Sequence, residues 1–427
     1  MQIFLITIFA LGSIASFWQF IRGKYKLAPL WLMLSSWLIA IAIAQLNLSV
    51  LELPWPLWYW CLVLLSLASF IAGFFVFKHV WIRYPWWQKC KLFLRNEVYL
   101  GRLRILIYIL AAVSGLALYL YYTRAGNFPL LAPDPDAFRF EADVAVPGLI
   151  NYASQLARVF IPLSFFLMFW EKYNFRKHWD LSLLSLIGVA SLLLFASRTQ
   201  IFFIDLWVMG LYLLMRKPNL RQALKFYSVF LVISILILAA VPLYRQYQSY
   251  GPGYLAGITG IDTTNFNPAA KAFMPIYIGI SFNQQALLHA EMYYQAHELQ
   301  YGKVSLDPFT NIFGKLIPGL NSLKSDFDLG AIFYSWWNTG TYLFPFVQDF
   351  GTSAFLVVPF ILAGLLTLSW RYWETSPNFL SINLYAYAMF FIVMTVYLSF
   401  TVRAEMYLDL MLLFASYLFV SKKIHES

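Results

Sequence analysis

Long apolar runs recur along the whole 427-residue chain, and they constrain its fold more than any other feature. Runs of about 18 or more apolar residues are long enough to cross a bilayer as α-helices, whereas strands of a membrane barrel are shorter and alternate in polarity. The composition agrees, because 61% of the residues are hydrophobic and only 12% are charged. The sequence therefore predicts an all-α polytopic membrane protein.

The apolar runs and the charges between them predict the topology. We place eleven spans, at residues 2–21, 27–47, 57–77, 105–122, 148–170, 181–197, 200–215, 226–243, 342–369, 381–400 and 404–420. Most of the 30 Lys and Arg residues then fall in loops on one side, which the positive-inside rule assigns to the cytoplasm. We expect the N-terminus outside and the C-terminus inside. The net charge of +10 then reflects orientation, and no nucleic-acid partner is expected.

The spans divide the chain into three predicted regions. Residues 1–243 would form a transmembrane bundle of about eight helices with an outer loop at 123–147, and residues 342–427 would add spans nine to eleven. Residues 244–341 between them are too long for a simple connection. Because this segment keeps many aromatic residues, we expect a helical subdomain on the outer face rather than a disordered loop.

Five arginines lie at or near the outer ends of the predicted spans, and they indicate an anion site there. Arg198 is the most informative, because it separates two apolar runs with almost no loop between them. An arginine near hydrocarbon costs about 2.5–3.5 kcal/mol on insertion scales unless it reaches the interface or an anion. The planar guanidinium suits phosphate, so a lipid pyrophosphate fits, although anchoring of helix ends at the headgroups is an alternative. The five are Arg124, Arg158, Arg198, Arg245 and Arg403.

Three further side chains are candidates for acid–base chemistry. His289 and Glu291 lie in the long outer segment, and Asp349 lies within an apolar run. A histidine or carboxylate there can accept a proton from a sugar hydroxyl, and an intramembrane carboxylate is a functional candidate by default. A structural role for His289, or for the second histidine of this segment, His297, stays open, as does an ion pair of Asp349 with an arginine. Asp134 and Asp136 lie beside turn-forming residues, and we do not expect them to hold a metal.

The layout and several short motifs resemble the bacterial O-antigen polymerase family, also called the oligosaccharide repeat-unit polymerase or Wzy-like family. The layout is ten to twelve spans with one large outer loop ahead of the last helices. The motifs are Ser197-Arg198-Thr199, Arg245, and Asn338-Thr339-Gly340-Thr341 followed by Asp349-Phe350-Gly351. The resemblance implies a GT-C-type glycosyltransferase in the inner membrane, with its active site facing the periplasm. It would polymerise undecaprenyl-pyrophosphate-linked oligosaccharides without a metal or other cofactor.

The resemblance also implies roles for the candidate residues. Arg198, Arg245 and Arg403 would hold the donor pyrophosphate, while Arg158 and Arg124 remain candidates from their positions alone. A residue such as His289 or Glu291 would take the acceptor proton. A chain-length regulator and a flippase are the expected protein partners. An O-antigen ligase would share nearly all these features, whereas a repeat-unit flippase would show internal repeats and charges across the bilayer, which the sequence does not favour.

Overall fold

A computed structural model describes residues 2–22, 25–83, 98–172, 175–251, 253–295, 297–314, 317, 320, 332–335, 337, 339–399 and 402–421. These residues form seventeen α-helices and no strand. In chain order the helices are α1 (Gln2–Arg22), α2 (Pro29–Ala44), α3 (Leu57–Arg83), α4 (Leu100–Ala125), α5 (Pro135–Ala145), α6 (Gly148–Ser154), α7 (Ala157–Trp170), α8 (Phe175–Leu193), α9 (Arg198–Arg216), α10 (Leu220–Tyr250), α11 (Tyr254–Thr259), α12 (Pro268–Tyr294), α13 (Lys303–Phe313), α14 (Phe344–Phe350), α15 (Ala354–Thr375), α16 (Phe379–Met394) and α17 (Ala404–Val420).

The apolar helices confirm an all-α protein suited to a membrane. Among the described residues, six segments are long and apolar enough to cross a bilayer, and α2 and α16 are apolar but shorter. The six are Gln2–Arg22, Leu57–Trp81, Leu100–Ala125, Gly148–Trp170, Thr199–Arg216 and Phe344–Thr375. Helices occupy all eleven predicted runs. The count of eleven crossings, their orientation and the GT-C fold stay predictions.

Two predicted spans are not single helices. Residues 148–170 divide into α6 and α7, and residues 342–369 divide into α14 and α15. The second break comes at Gly351, whose φ of +61° is a conformation that L side chains rarely adopt and that interrupts the helical backbone. A 3-10 turn over Gly351–Ser353 then leads into α15. The residues around this break are polar, but the apolar runs on both sides of them were joined into one predicted span.

The chain forms two compact units. The first contains Met1–Lys91, Tyr277–Ser376 and Phe391–Met411. In it α3 packs along α15 and α1 packs on α2. The approach of α3 to α15 depends on glycine, since a Cβ at Gly73 would lie 2.6 Å from the Phe360 carbonyl oxygen. Small residues at such contacts let helix backbones approach closely, as in membrane helix pairs.

The second unit contains Leu92–Ile276, Pro377–Phe390 and Leu412–Ser427. Here α7 packs against α8 and α9, while α10 packs against α9 and α5. The core includes Trp207, which is fully buried and lies edge-on to Phe203 and Tyr387. The boundary between the units falls within α12, so the predicted segment 244–341 contributes residues to both units.

Candidate functional site

A row of buried polar side chains occupies the C-terminal half of α12, in the first unit. Asn283, Gln284 and Gln285 are fully buried, and Glu291 is 1% exposed. Burying such groups costs free energy unless they are hydrogen-bonded. Gln285 meets this need by exchanging hydrogen bonds with the backbone of Leu53, whereas the Gln284 amide makes none within the described part of the chain. Unpaired buried polar groups of this kind mark a candidate site.

The loop between α2 and α3 holds α12 in place through one carboxylate. Glu52 accepts a hydrogen bond from the Tyr277 hydroxyl at 2.5 Å and another from the Ser281 hydroxyl. The backbone N–H of Ser49 donates to the same carboxylate at 2.9 Å, which fixes the loop. Charge-assisted hydrogen bonds are the stronger kind, so Glu52 ties the middle of α12 to this loop.

His289 lies on an aromatic face of α12. Its ring centroid is 4.9 Å from that of Phe333, and Phe333 also contacts Phe282, two helical turns before His289. The Nε2 atom is enclosed and makes no hydrogen bond with the described residues. Burial lowers the pKa of His289 below its usual 6.5. The imidazole is therefore neutral at pH 7 and able to accept a proton.

Glu291 belongs to a different face of the same helix, because residues two apart on a helix do not face each other. Its Oε1 atom accepts a hydrogen bond from the Thr352 hydroxyl at 2.8 Å. Burial raises the pKa of Glu291, and the neighbouring Thr352, Gln295 and Tyr294 side chains oppose this shift. The two candidate bases thus share α12 but lie on different faces of it.

Asp349 acts as the cap of α13. Its carboxylate accepts the backbone N–H of Val304 at 3.1 Å and that of Ser305 at 2.7 Å, and the side chain is fully buried. These are the N–H groups that an N-cap side chain usually satisfies, but the N-cap of α13 is Gly302. Asp349 supplies the missing acceptor, so the structure gives this predicted catalytic residue a positioning role. The backbone N–H groups of Val304 and Ser305 stabilise the Asp349 carboxylate. The sequence had suggested an ion pair with an arginine for this role.

One of the motifs behind the family resemblance contacts α12, and so does the residue just before another. Gln348, just before Asp349, donates from its side chain to the carbonyl of Ala290 at 3.1 Å. Thr339 donates to the Asn283 side chain at 2.9 Å. Asn338, the first residue of the other motif, lies outside the described residues. Thr339 and Gln348 therefore support the polar part of α12.

The five predicted pyrophosphate-binding arginines belong to different units. Arg124, Arg158, Arg198 and Arg245 are in the second unit, and Arg403 is in the first. Arg124 and Arg403 are exposed, and Arg198 begins α9 although its side chain lies outside the described residues.

Two of these arginines have clear contacts within the second unit. Arg158 is 2% exposed, and its guanidinium lies 4.7 Å from the ring centroid of Tyr152. The Arg245 Nε atom lies 2.7 Å from the Asp136 carboxylate. The neighbouring Asp134 caps α5 by accepting the backbone N–H groups of Asp136 and Ala137. A hydrogen bond from Ser249 lowers the pKa of Asp134, which keeps this cap charged.

Sequence reasoning missed Glu52, Gln284 and Thr352. The signal for Gln284 was present, because consecutive polar residues in a helix with apolar flanks are unusual. Glu52 and Thr352 gave no signal of their own. Each is a polar residue in a short connection, and only the folded chain brings it to α12.

No family model, no curated protein and no solved structure matches the chain. The resemblance to repeat-unit polymerases therefore stays a prediction from layout and short motifs.

Proposed function

We propose that the protein is a membrane glycosyltransferase that polymerises undecaprenyl-pyrophosphate-linked oligosaccharides into O-antigen or a related surface polysaccharide. The reaction would take place on the periplasmic side of the bacterial inner membrane. The observation that carries the proposal is His289, a half-buried neutral imidazole on an aromatic face of α12. The apolar helices support a lipid-linked substrate, because such a substrate reaches its enzyme within the bilayer.

In this scheme His289 takes the proton from the acceptor hydroxyl as its oxygen attacks the anomeric carbon of the donor. The bond from that carbon to the pyrophosphate oxygen breaks, and the electron pair leaves with the lipid pyrophosphate. Arginines among the five candidates would neutralise the charge that develops on this leaving group. Glu291 is enclosed more completely than His289, so we assign the base to His289.

The test is polymer formation by the purified protein in nanodiscs. The protein would be incubated with lipid-linked repeat units, and the products would be separated by gel electrophoresis. We expect a ladder from the wild type and none from His289→Ala. His297→Ala is the matched control, because His297 is an exposed histidine beyond the end of the same helix. Equal ladders from both variants would remove His289 from the mechanism.

Arg198→Lys tests the leaving-group part of the scheme. Lysine keeps the charge but loses the planar fork that binds phosphate at two points. We expect the ladder to disappear if Arg198 holds pyrophosphate and to persist if it only anchors a helix end.

The same preparation separates the alternatives. Transfer of one glycan to a lipid A–core acceptor, without a ladder, would indicate a ligase. Movement of labelled lipid-linked sugar across a liposome membrane, without any transfer, would indicate a transporter. Either result would contradict the polymerase.

A further inference from the structure

A cleft of about 560 Å³ opens within the second unit. The last turns of α10, the turn that follows, α11 and the first turns of α12 form its walls. Its volume lies in the range typical of small-molecule sites, which combine aromatic and apolar lining with a few convergent polar groups. None of the residues discussed above as a base or a phosphate ligand lines this cleft.

Three tyrosines line the cleft. Tyr244 and Tyr247 lie three residues apart on one face of α10 and are 44% and 60% exposed. Tyr254, at the start of α11, stacks on Tyr250 with ring centroids 4.0 Å apart. A tyrosine offers an apolar ring face and a polar hydroxyl at its edge. A sugar ring has the matching features, an apolar face of C–H groups and a rim of hydroxyls.

Gln246 adds an unsatisfied polar atom to the same cleft. Its Oε1 atom is enclosed and accepts no hydrogen bond from the described residues. An enclosed amide oxygen without a donor costs free energy, so rotation of the Gln246 side chain toward a donor in the cleft would be favourable. A sugar hydroxyl supplies such a donor.

Two contacts with the start of α5 hold in position the part of α10 that carries Tyr244 and Tyr247. The ion pair of Arg245 with Asp136, at 2.7 Å, joins α10 to α5. One turn later, Ser249 donates to the Asp134 carboxylate at 2.5 Å. The chain then turns through Gly251 and Gly253, which both have φ of +82°. A wall that is ordered before binding loses less entropy when a ligand arrives.

We propose that this cleft is a carbohydrate-binding subsite that holds the oligosaccharide part of a lipid-linked substrate. The identity of that oligosaccharide rests on the proposed function, but the subsite itself does not. A polyprenyl chain is the poorer occupant. It would leave the Gln246 oxygen without a donor and would place hydrocarbon against the tyrosine hydroxyls.

Binding without turnover tests the subsite. The full-length protein in nanodiscs would be titrated with the lipid-free repeat-unit oligosaccharide, and binding would be followed by saturation-transfer NMR. We expect Gln246→Ala to weaken binding about tenfold, the effect of losing one hydrogen bond that the site needs. Gln248→Ala is the matched control, because Gln248 is an exposed amide on the same helix that does not line the cleft.

A second pair of variants tests whether the aromatic ring of Tyr247 contacts the sugar. Tyr247→Ala should also weaken binding about tenfold, whereas Tyr247→Phe keeps the ring face and should bind almost as the wild type does. Equal binding by wild type, Gln246→Ala and Tyr247→Ala would overturn the proposal, as would no binding by the wild type. Displacement of the sugar by undecaprenyl phosphate alone would identify a lipid site instead and would also overturn it.

The gel assay keeps the two proposals apart. A ladder together with unchanged sugar binding in every variant would leave the polymerase standing and remove the subsite. Sugar binding that depends on Gln246 and Tyr247, without any ladder, would support the subsite and remove the polymerase.

Discussion

The Asp349 carboxylate accepts the backbone N–H of Ser305 at 2.7 Å, which joins the end of α14 to the first turn of α13. The negative charge lies at the positive end of the α13 dipole, where it is stabilised. The backbone adds to this connection, because the N–H of Tyr301 donates to the Asp349 carbonyl at 3.2 Å. Asp349 thus holds together the connection between α12 and α13.

This geometry predicts that Asp349 contributes to stability more than to chemistry. Asp349→Ala would leave the two N–H groups at the start of α13 without an acceptor, and we expect a loss of about 1–3 kcal/mol in the free energy of unfolding. Thermal unfolding of the protein in nanodiscs measures this loss. Asp349→Asn keeps one acceptor and should be intermediate. An Asn variant with wild-type unfolding and no ladder would instead make Asp349 catalytic.

The pH profile of polymer formation tests His289 as the base. Burial lowers its pKa below the usual 6.5, so the imidazole should stay neutral into mildly acidic solution. The rate of ladder formation should therefore fall on the acid side with a midpoint below pH 6.5. A midpoint well above pH 6.5, measured on chemically stable substrate, would contradict this assignment.

Glu291→Gln should stabilise the protein at neutral pH. Burial raises the pKa of Glu291 above its usual 4.5. A carboxyl with a raised folded-state pKa contributes stability that is present at low pH and lost as pH rises through that pKa. Glutamine removes this loss, so the thermal unfolding temperatures of variant and wild type should differ at pH 7 and converge below about pH 4. Glu298→Gln, at an exposed position, is the control and should show no difference.

Activity of the same variant separates the two candidate bases. With His289 as the base, Glu291→Gln should still form a ladder. A stabilised variant that forms none would move the base to Glu291.

Arg245 and Asp136 allow a test of whether the arginine binds substrate. Both side chains are partly exposed, at 20% and 14%, so their ion pair should contribute at most about 1 kcal/mol to stability. Asp136→Ala should therefore leave polymer formation nearly intact. Arg245→Ala should abolish it if the guanidinium binds pyrophosphate. Equal activity of the two variants would reduce Arg245 to a structural partner of Asp136.

The helices were largely predictable from the sequence, because a bilayer requires long apolar runs and these runs are visible without any tertiary contact. The positions where these helices are interrupted were not predictable from the sequence. Gly351 lies in a short polar stretch inside one predicted span, and the non-helical His178 lies in a charged stretch before another, and counting apolar residues placed neither break. The local backbone is set by neighbours that are distant in sequence.

The sequence indicated that His289 and Glu291 lie on one helix, and the structure places both on α12. Their burial and their separate faces of α12 became visible only in the structure, and their catalytic roles stay predictions. The role of Asp349 depends on the first turn of α13, and the pairing of Arg245 depends on α5. Both partners lie far along the chain, where periodicity and spacing carry no information.

Gly351→Ala should disturb the connection that carries Thr352 to Glu291. The Gly351 backbone, with φ of +61° and ψ of −148°, lies in a region that costs other residues about 1–3 kcal/mol. An added Cβ would also lie 2.6 Å from the Tyr294 ring, which cannot move freely because its hydroxyl is hydrogen-bonded to Thr352.

We therefore expect Gly351→Ala to lower the unfolding temperature in nanodiscs and to reduce ladder formation together. Gly101→Ala, in α4, is the matched control, because no atom of the described residues beyond its own stretch of helix lies within 4 Å of the added Cβ. Alanine is favoured over glycine in a helix by about 1 kcal/mol, so this control should be neutral or slightly stabilising. A Gly351→Ala protein as stable as the control would show that the turn at Gly351 adapts, and that the position of Thr352 does not depend on it.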